Sequence, residues 1–391
     1  MLSQFILTAA LAAGALASPV EYIGSDWDLE WISKNDSLPK VVIYSTGGTI
    51  LSASNYSSLD NVKYGSGVGP TPQELIANVS EVLDVAQLAV VKFPAPGGSA
   101  GINSTLYLNV TQYANRHLCS EDSDIAGAIM FHGTNTLEET AFGVDLTFNC
   151  SKPFIATGAM RPDTYVSPDG RSNFYQAVAA AASPSSRDRG GLIVFNDRIT
   201  SIFYSTKTNA NTPDTFKALE QGNLGAFLAG QPFYFFGPAY PTGRPYFDVS
   251  NVTNLTDGLP AIIIVYGHQG FDASLMYAAV ANGAKGLVIL GPGAAAVSPS
   301  ALAAAKDLYS QGIPTIAVAR PVTGTGVPDP TPASLIYSSY VGADQARIML
   351  QLALNAGYDL DEIRDLFESP LRNAIFGPAV NQLAYYGTTY I

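Results

Sequence analysis

Strand-like runs alternate with helical patterns through most of the 391 residues, and this alternation constrains the fold more than any other feature. Val41–Ser45 and Ala126–Phe131 have the length and the apolar composition of buried strands. Helical patterns such as Asn173–Ala182 lie between runs of this kind. Because strands that alternate with helices form parallel sheets, the sequence predicts an α/β fold with a largely parallel sheet.

The alternation is interrupted once, where proline, glycine, tyrosine and polar residues dominate from Gln231 onward. A loop of that length inside one compact domain would be unusual. We therefore predict a larger N-terminal α/β domain over residues 38–235, a linker over 236–258 and a smaller C-terminal parallel α/β domain over 259–391. The last stretch, residues 371–391, shows no clear periodicity and is interpreted as a tail.

Two helix starts have the capping-box pattern, in which Ser or Thr precedes an acidic residue by three positions. One consists of Thr71 and Glu74, with proline between them, and the other of Thr136 and Glu139. Both are predicted to be helix N-termini stabilised by reciprocal side-chain hydrogen bonds.

Composition excludes several classes of protein. Hydrophobic residues make up 47% of the chain and charged residues 13%, which excludes a disordered polymer. The net charge is −12, and no run of Lys or Arg supplies the basic surface that nucleic acids or anionic membranes require. Neither kind of partner is expected.

The first residues are typical of a secretory signal peptide. An apolar run ends at Ala15-Leu16-Ala17, so residues 1–17 are predicted to be removed and the chain to be secreted. Asn-x-Ser/Thr sequons favour the same compartment. They begin at Asn35, Asn55, Asn78, Asn103, Asn109, Asn149, Asn251 and Asn254.

The sequence contains two cysteines and three histidines, and their spacing does not indicate a metal site. In an oxidising compartment Cys119 and Cys150 are expected to form a disulfide, and two buried free thiols are the alternative.

Two segments place threonines directly after strands, at the edge of a parallel sheet where ligands collect. They are Thr46–Thr49 and His132–Asn135. Their glycines allow tight turns and close approach of a substrate, and a threonine hydroxyl becomes a nucleophile once a base removes its proton. Taken singly, each segment is better explained as a tight turn followed by a helix cap.

Together the two segments resemble the bacterial-type L-asparaginase family. The resemblance extends from about Val41 to about Phe367 and therefore covers nearly the whole mature chain. The motifs that carry it are YSTGGTI (44–50), FHGTNTLEET (131–140), KPFIATGAMRP (152–162), SPDG (167–170), Asn196–Asp197 and STKTN (205–209).

The resemblance implies hydrolysis of the asparagine side-chain amide through an acyl-enzyme. Thr49 matches the nucleophile, Thr134 the second threonine of the family and Lys207 the lysine that activates it. Tyr64 matches the tyrosine of a mobile flap near the nucleophile.

The resemblance also implies a substrate-binding set, a disulfide between Cys119 and Cys150, and a homotetramer whose sites are completed by neighbouring subunits. The expected ligand is a small amide, asparagine or also glutamine, and neither a cofactor nor a metal is implied. The residues expected to bind the substrate are Ser99, Asn135, Gly48, Gly133 and Ala159.

The chain departs from the family pattern where the amino-acid end of the substrate is bound. Asn135 stands where the family has aspartate, and Ala100 and Gly101 replace residues that are often polar or acidic. The acidic residue expected from a neighbouring subunit has no clear match, because Asp329 is the only carboxylate between Arg320 and Ala333. We expect intact hydrolytic machinery with weakened or altered recognition of the free amino acid.

Three other functions are compatible with parts of the sequence. Gly97–Gly101 matches the G-x-S-x-G motif of serine hydrolases but lacks a preceding strand. Gly291–Ala296 resembles a dinucleotide-binding loop, but the following strand ends at Arg320 instead of an acidic residue. A binding protein that retains the asparaginase scaffold without activity is the remaining alternative.

Overall fold

The computed structural model describes residues 29–66, 69–93, 95, 98–250, 252, 258–331 and 333–377. The predicted signal peptide over residues 1–17 lies outside these ranges. Within them, no helix has the length and apolar character needed to cross a membrane.

Within the described ranges, the first domain contains twelve strands and four α-helices. In chain order they are β1 (Lys40–Ser45), β2 (Ser52–Ala53), β3 (Gly65–Ser66), α1 (Pro72–Asn78), β4 (Gln87–Lys92), α2 (Ser104–Leu118), β5 (Ile125–Phe131), α3 (Leu137–Thr147), β6 (Phe154–Thr157), α4 (Gly170–Ala182), β7 (Leu192–Phe195), β8 (Arg198–Ser201), β9 (Thr206–Lys207), β10 (Phe216–Lys217), β11 (Gly225–Leu228) and β12 (Gln231–Tyr234).

The main sheet has the order β12-β11-β8-β7-β6-β5-β1-β4. Strands β4, β1, β5, β6 and β7 are parallel, whereas β8, β11 and β12 continue the sheet in antiparallel fashion. Alternate residues of β1 face opposite cores: Val42 and Tyr44 pack with α2 and α3, while Val41 and Ile43 pack with α1 and α4. The predicted α/β class with a mostly parallel sheet is confirmed.

The second domain is a smaller parallel sheet in the order β13-β14-β15-β16. Its helix α8 packs on α3 of the first domain as well as on β13 and β14, so one apolar cluster extends across both domains. Its elements are β13 (Ile262–Tyr266), α5 (Ser274–Ala281), β14 (Gly286–Gly291), α6 (Pro292–Ala295), α7 (Pro299–Ser310), β15 (Thr315–Ala319), β16 (Leu335–Tyr337), α8 (Ala343–Asn355) and α9 (Leu360–Phe376).

The segment between the sheets is irregular but packed against the first domain. Arg244 donates to the buried carboxylate of Asp145 at 3.0 Å, and Phe247 is buried and donates its N–H to Leu146 O. The loss of periodicity from Gln231 onward was misleading, because residues 231–234 form strand β12 at the sheet edge.

Two local predictions were wrong. The capping box at Thr71 is present, but the one at Thr136 is not, because the Thr136 hydroxyl donates to Ser99 O at 2.7 Å and Glu139 pairs with Arg347. Part of the predicted tail is helical, since α9 extends through residues 371–376, and residues 378–391 lie outside the described ranges. In the first case tertiary partners compete successfully for the side chains that the local pattern assigned to capping.

The Cys119–Cys150 disulfide is present, as expected. It joins the C-terminal end of α2 to the loop after α3 and closes a sequence separation of 31 residues. Because a cross-link of this span restricts the unfolded chain, replacing both cysteines by alanine should lower the free energy of unfolding by about 2–4 kcal/mol. Denaturant unfolding of the two proteins measures this difference. An unchanged midpoint in the double variant would contradict the expectation.

Candidate active site

The predicted site begins where β1 and β5 end side by side. Ser45 pairs with Phe131 in register, and Thr46 donates both its N–H and its hydroxyl to Phe131 O, at 3.0 and 2.7 Å. The chain then turns through Gly47 and Gly48, whose φ angles of 89° and 99° lie in the left-handed region that favours glycine. Thr49 follows as the first residue of a short 3₁₀ helix.

Glycine also allows the two threonine segments to touch. A Cβ atom on Gly48 would lie 2.6 Å from the backbone N of Gly133, and one on Gly133 would lie 2.5 Å from Ser99 Oγ. Each glycine directly precedes a predicted catalytic threonine, so this contact brings Thr49 and Thr134 into one neighbourhood beside Ser99. A larger residue at Gly48 would force the two segments apart, and one at Gly133 would displace Ser99.

Thr49 is buried, and its hydroxyl donates to Tyr64 Oη at 3.0 Å. Tyr64 directly precedes β3, which pairs with β2 in a small hairpin that follows the Thr49 segment. Asp60 organises the loop of this hairpin, because its carboxylate accepts hydrogen bonds from the N–H groups of Val62 and Lys63 and from the Ser54 hydroxyl. These hydrogen bonds also hold the pKa of Asp60 below its usual range.

Replacing Tyr64 by phenylalanine removes only the hydroxyl that meets Thr49. We expect kcat to fall about tenfold to a hundredfold, because a hydrogen bond to a developing charge contributes about 1.5–3 kcal/mol. Steady-state hydrolysis kinetics measure the effect. The matched control is Tyr56→Phe, since Tyr56 is 74% exposed on the same hairpin and should leave kcat unchanged. Equal losses in both variants would contradict a specific role for Tyr64.

Thr134 and Lys207 form the second hydrogen-bonded pair of the site. The Lys207 ammonium donates to Thr134 Oγ1 at 2.9 Å, and the threonine is buried. Burial lowers the pKa of Lys207, while the neighbouring Glu138 carboxylate acts in the opposite direction. A lysine whose pKa is lowered by burial can lose its proton more readily and act as a base toward the threonine hydroxyl.

The predicted substrate-binding residues occupy different surroundings. Ser99 is buried beside Gly133 and begins the 3₁₀ helix Ser99–Gly101. Asn135 is exposed and lines a cavity with Lys207, Thr208, Asn209 and Ala210.

Ala159 is fully buried, and its methyl group packs in the core under α4. The whole residue, backbone included, has no exposed surface in this structure. The loop that carries it is held by Asp169, which accepts hydrogen bonds from Met160 N and Arg161 N at 3.0 and 2.9 Å. The GAMRP and SPDG motifs thus fold against each other.

Sequence reasoning missed Glu138, which accepts a hydrogen bond from the backbone N–H of Lys207. The sequence pattern alone assigns Glu138 no role in the site. Its position in the motif FHGTNTLEET was a signal that it lies close to the site, because the first turn of α3 follows the Thr134 segment directly. Among the described residues no group of three His, Cys, Asp or Glu side chains is arranged to hold a metal ion.

The sequence matches two family models. Residues 40–239 match the model described as "Asparaginase, N-terminal", and residues 261–367 match "Glutaminase/Asparaginase C-terminal domain". Together these models cover most of the chain and follow the two sheets described above.

Individual relatives agree with the family models. The chain is 42% identical over 336 residues to L-asparaginase 2-3 of Saccharomyces cerevisiae, covering 85% of this chain and 91% of the relative. It is 37% identical to L-asparaginase 2 of Bacillus subtilis, with 86% and 88% covered. Among solved structures, the probable cytoplasmic L-asparaginase of Campylobacter jejuni superposes with a TM-score of 0.75 at 29% identity, covering 84% of this chain and 99% of that one.

Proposed function

This chain belongs to the asparaginase family, and on that premise we propose that it hydrolyses the side-chain amide of L-asparagine to L-aspartate and ammonia. The observation that carries the proposal is the contact between Gly48 and Gly133. With this contact the Thr49–Tyr64 and Lys207–Thr134 hydrogen bonds lie at one edge of the sheet, which supports a nucleophile and a base acting at one site.

The proposed reaction has two halves. Thr49 Oγ1 attacks the amide carbon while its proton passes to the neighbouring hydroxyl and amine groups, a proton is then delivered from these groups to the amide nitrogen, the C–N bond breaks and ammonia departs. Water then attacks the resulting ester, releasing aspartate and restoring the threonine hydroxyl. Thr134 and Lys207 together act as the general base, and Tyr64 stabilises the reacting oxygen of Thr49. Backbone N–H groups near Gly48 and Gly133 are the expected partners of the oxyanion.

Recognition of the amino-acid end is assigned to Ser99 and Asn135. An amide at position 135 accepts a hydrogen bond but carries no charge, so it pairs less strongly with an α-ammonium group than a carboxylate does.

Asn135→Asp restores that charge and tests this assignment. We expect kcat/KM for L-asparagine to rise about tenfold to a hundredfold, equivalent to about 1–3 kcal/mol. Asn209→Asp is the matched control, because Asn209 lines the same cavity and its side chain already accepts backbone hydrogen bonds that an aspartate would retain. Equal gains in both variants, or no gain in Asn135→Asp, would refute the specific pairing.

The activity itself is tested by ammonia release from L-asparagine, L-glutamine and N-acetyl-L-asparagine. The proposal expects the highest kcat/KM on L-asparagine, with equimolar aspartate formed. Turnover of the blocked substrate alone would instead favour altered specificity, and no turnover of any amide would favour an inactive binding protein.

We also propose that the chain is a secreted glycoprotein whose signal peptide comprises residues 1–17. Asn109 is buried, and Asn251 and Asn254 lie outside the described residues. The exposed sequon asparagines are Asn35, Asn55, Asn78, Asn103 and Asn149. Glycopeptide mapping of protein from the culture medium should find sugar among the exposed sites and none at Asn109. Retention of the full-length chain inside the cell would contradict secretion.

A homotetramer is the proposed assembly. In support, large aromatic side chains are exposed along and after the edge strand β12, namely Phe233, Phe235, Phe236 and Tyr240. Exposed apolar patches of this kind mark interaction surfaces. Light scattering of the purified protein measures the mass, and a monomer at micromolar concentration would exclude this assembly.

A further inference from the structure

Charged side chains gather where α3 of the first domain packs on α8 of the second. Glu138 and Glu139 come from α3, and Asp344 and Arg347 from α8. Arg347 pairs with Glu139 at 2.8 Å, whereas Glu138 turns toward the strand that carries Lys207. The cluster therefore joins the domain interface to the proposed base.

We propose that Glu138 is a positioning residue for Lys207: it holds the lysine backbone in register with Thr134 and supplies negative charge beside the amine. This inference rests on the proposed function, because it assigns Glu138 a part in the same hydrolysis. Glu138 acts through Lys207 and does not touch the reacting atoms.

The first line of support is the short strand that carries the lysine. Strand β9 consists of two residues and pairs only with the equally short β10, through Lys207–Phe216 and Thr206–Lys217. Glu138, itself only 9% exposed, accepts the backbone N–H of Lys207. A side-chain acceptor on the buried helix α3 therefore adds a constraint on the Lys207 backbone to that of the short ladder.

The second domain supports the same segment from the other side. Gln345 of α8 donates its side-chain amide to Ser205 O at 3.0 Å, two residues before Lys207. The Ser205 hydroxyl in turn donates to Thr200 Oγ1 at 2.8 Å and to Ser201 O at 2.6 Å. The Lys207 backbone is thus held directly by α3, and the segment that leads into it is held by α8 at Ser205, so residues of the domain interface support the site.

Glu138 also affects the protonation of Lys207, and the charges around Glu138 determine how. Burial raises the pKa of Glu138 to about 7, hydrogen bonds from Lys207 N–H and the Thr206 hydroxyl oppose this, and the nearby Asp344 and Glu139 carboxylates add to it. Burial likewise raises the pKa of Asp344 and of Glu139, and Arg347 lowers both. Glu138 therefore ionises near neutral pH, and its carboxylate then favours the protonated form of Lys207.

Two substitutions separate position from charge. Glu138→Gln keeps an oxygen acceptor for the lysine N–H and removes the charge. Lys207 then gives up its proton at lower pH, so the acidic limb of the kcat–pH profile should move to lower pH, with kcat at the optimum retained within a few-fold. Glu138→Leu removes the acceptor too, and a displaced lysine should reduce kcat about tenfold to a hundredfold with little change in KM.

Glu139→Gln is the matched control. Glu139 lies on the same helix but faces Arg347, so its substitution should move the acidic limb less than Glu138→Gln does. A crystal structure of Glu138→Leu adds a readout that does not depend on activity. The Lys207 Nζ to Thr134 Oγ1 distance should lengthen from 2.9 Å beyond hydrogen-bonding range.

Three results would overturn the inference: an unmoved or oppositely moved limb in Glu138→Gln, a kcat for Glu138→Leu equal to wild type, or an unchanged Lys207–Thr134 distance in its structure. Failure of the proposed function would give a different result from these three, because the wild-type protein itself would then release no ammonia from asparagine.

Discussion

Thr49→Ala is expected to lower kcat for asparagine hydrolysis by roughly a thousandfold or more, because loss of a nucleophile removes the covalent route altogether. The hydroxyl of Thr49 has a defined partner in Tyr64 and lies at the glycine contact that joins both threonine segments. Single-turnover and steady-state ammonia release measure the loss. Binding of asparagine should survive, since the alanine variant retains the other contacts.

Thr49→Ser is the control for this experiment. Serine keeps a hydroxyl at the same position and should retain far more activity than alanine does. Both variants should unfold at nearly the wild-type temperature, because the change removes little buried surface. Activity of Thr49→Ala within tenfold of wild type would transfer the nucleophile to another residue.

Lys207→Met is expected to lower kcat by roughly a hundredfold to ten-thousandfold, the range for loss of a general base. Methionine has a length similar to that of lysine and cannot accept or donate a proton there. In the wild-type protein the amine must be neutral to accept a proton, so kcat should rise as pH increases through the lysine pKa. Burial holds that pKa below its usual range, and the rise should disappear in the methionine variant.

Lys217→Met supplies the matched control. Lys217 belongs to the partner strand β10, pairs in register with Thr206 and forms an exposed ion pair with Asp214 at 2.7 Å. Exposed ion pairs contribute little to stability, so its loss should leave both kcat and the pH profile unchanged. Parallel losses in the two variants would indicate damage to the β9–β10 pair instead of loss of a base.

The fold follows closely from the pattern of the sequence. Buried parallel strands produce uninterrupted apolar runs, and β1 and β5 are visible for that reason as Val41–Ser45 and Ala126–Phe131. Strands β11 and β12 were not predicted, because both are short and partly exposed and therefore lack this signal. Helix α9 was not predicted and extends into the stretch interpreted as a tail, and Pro370 inside it is a residue that normally indicates a helix end.

The threonine pair could be anticipated from the same physics. Parallel strands end at one edge, so segments that follow β1 and β5 meet there, as the register of Ser45 and Phe131 shows. Lys207 could not be placed in this way, because a two-residue strand leaves no periodic signal, and only the resemblance singled it out. The role of Glu138 could not be predicted from the sequence, because its carboxylate meets the Lys207 backbone N–H only once the strand that carries Lys207 has folded against α3.

The burial of sequon asparagines is another property that the sequence motif does not predict. Asn109 and Asn103 have equivalent motifs, yet Asn103 is the exposed N-cap of α2 whereas Asn109 lies inside that helix and is buried. The motif carries no information about which helix face an asparagine occupies. Only packing of α2 against α3 decides it.

Mass spectrometry of acid-quenched protein during asparagine turnover tests the central claim most directly. Peptide mapping should locate an added aspartyl group, held as an ester, on the peptide that contains Thr49, and Thr49→Ala should abolish it. An aspartyl ester on Thr134 or on any other residue would contradict the assignment of Thr49 as the nucleophile.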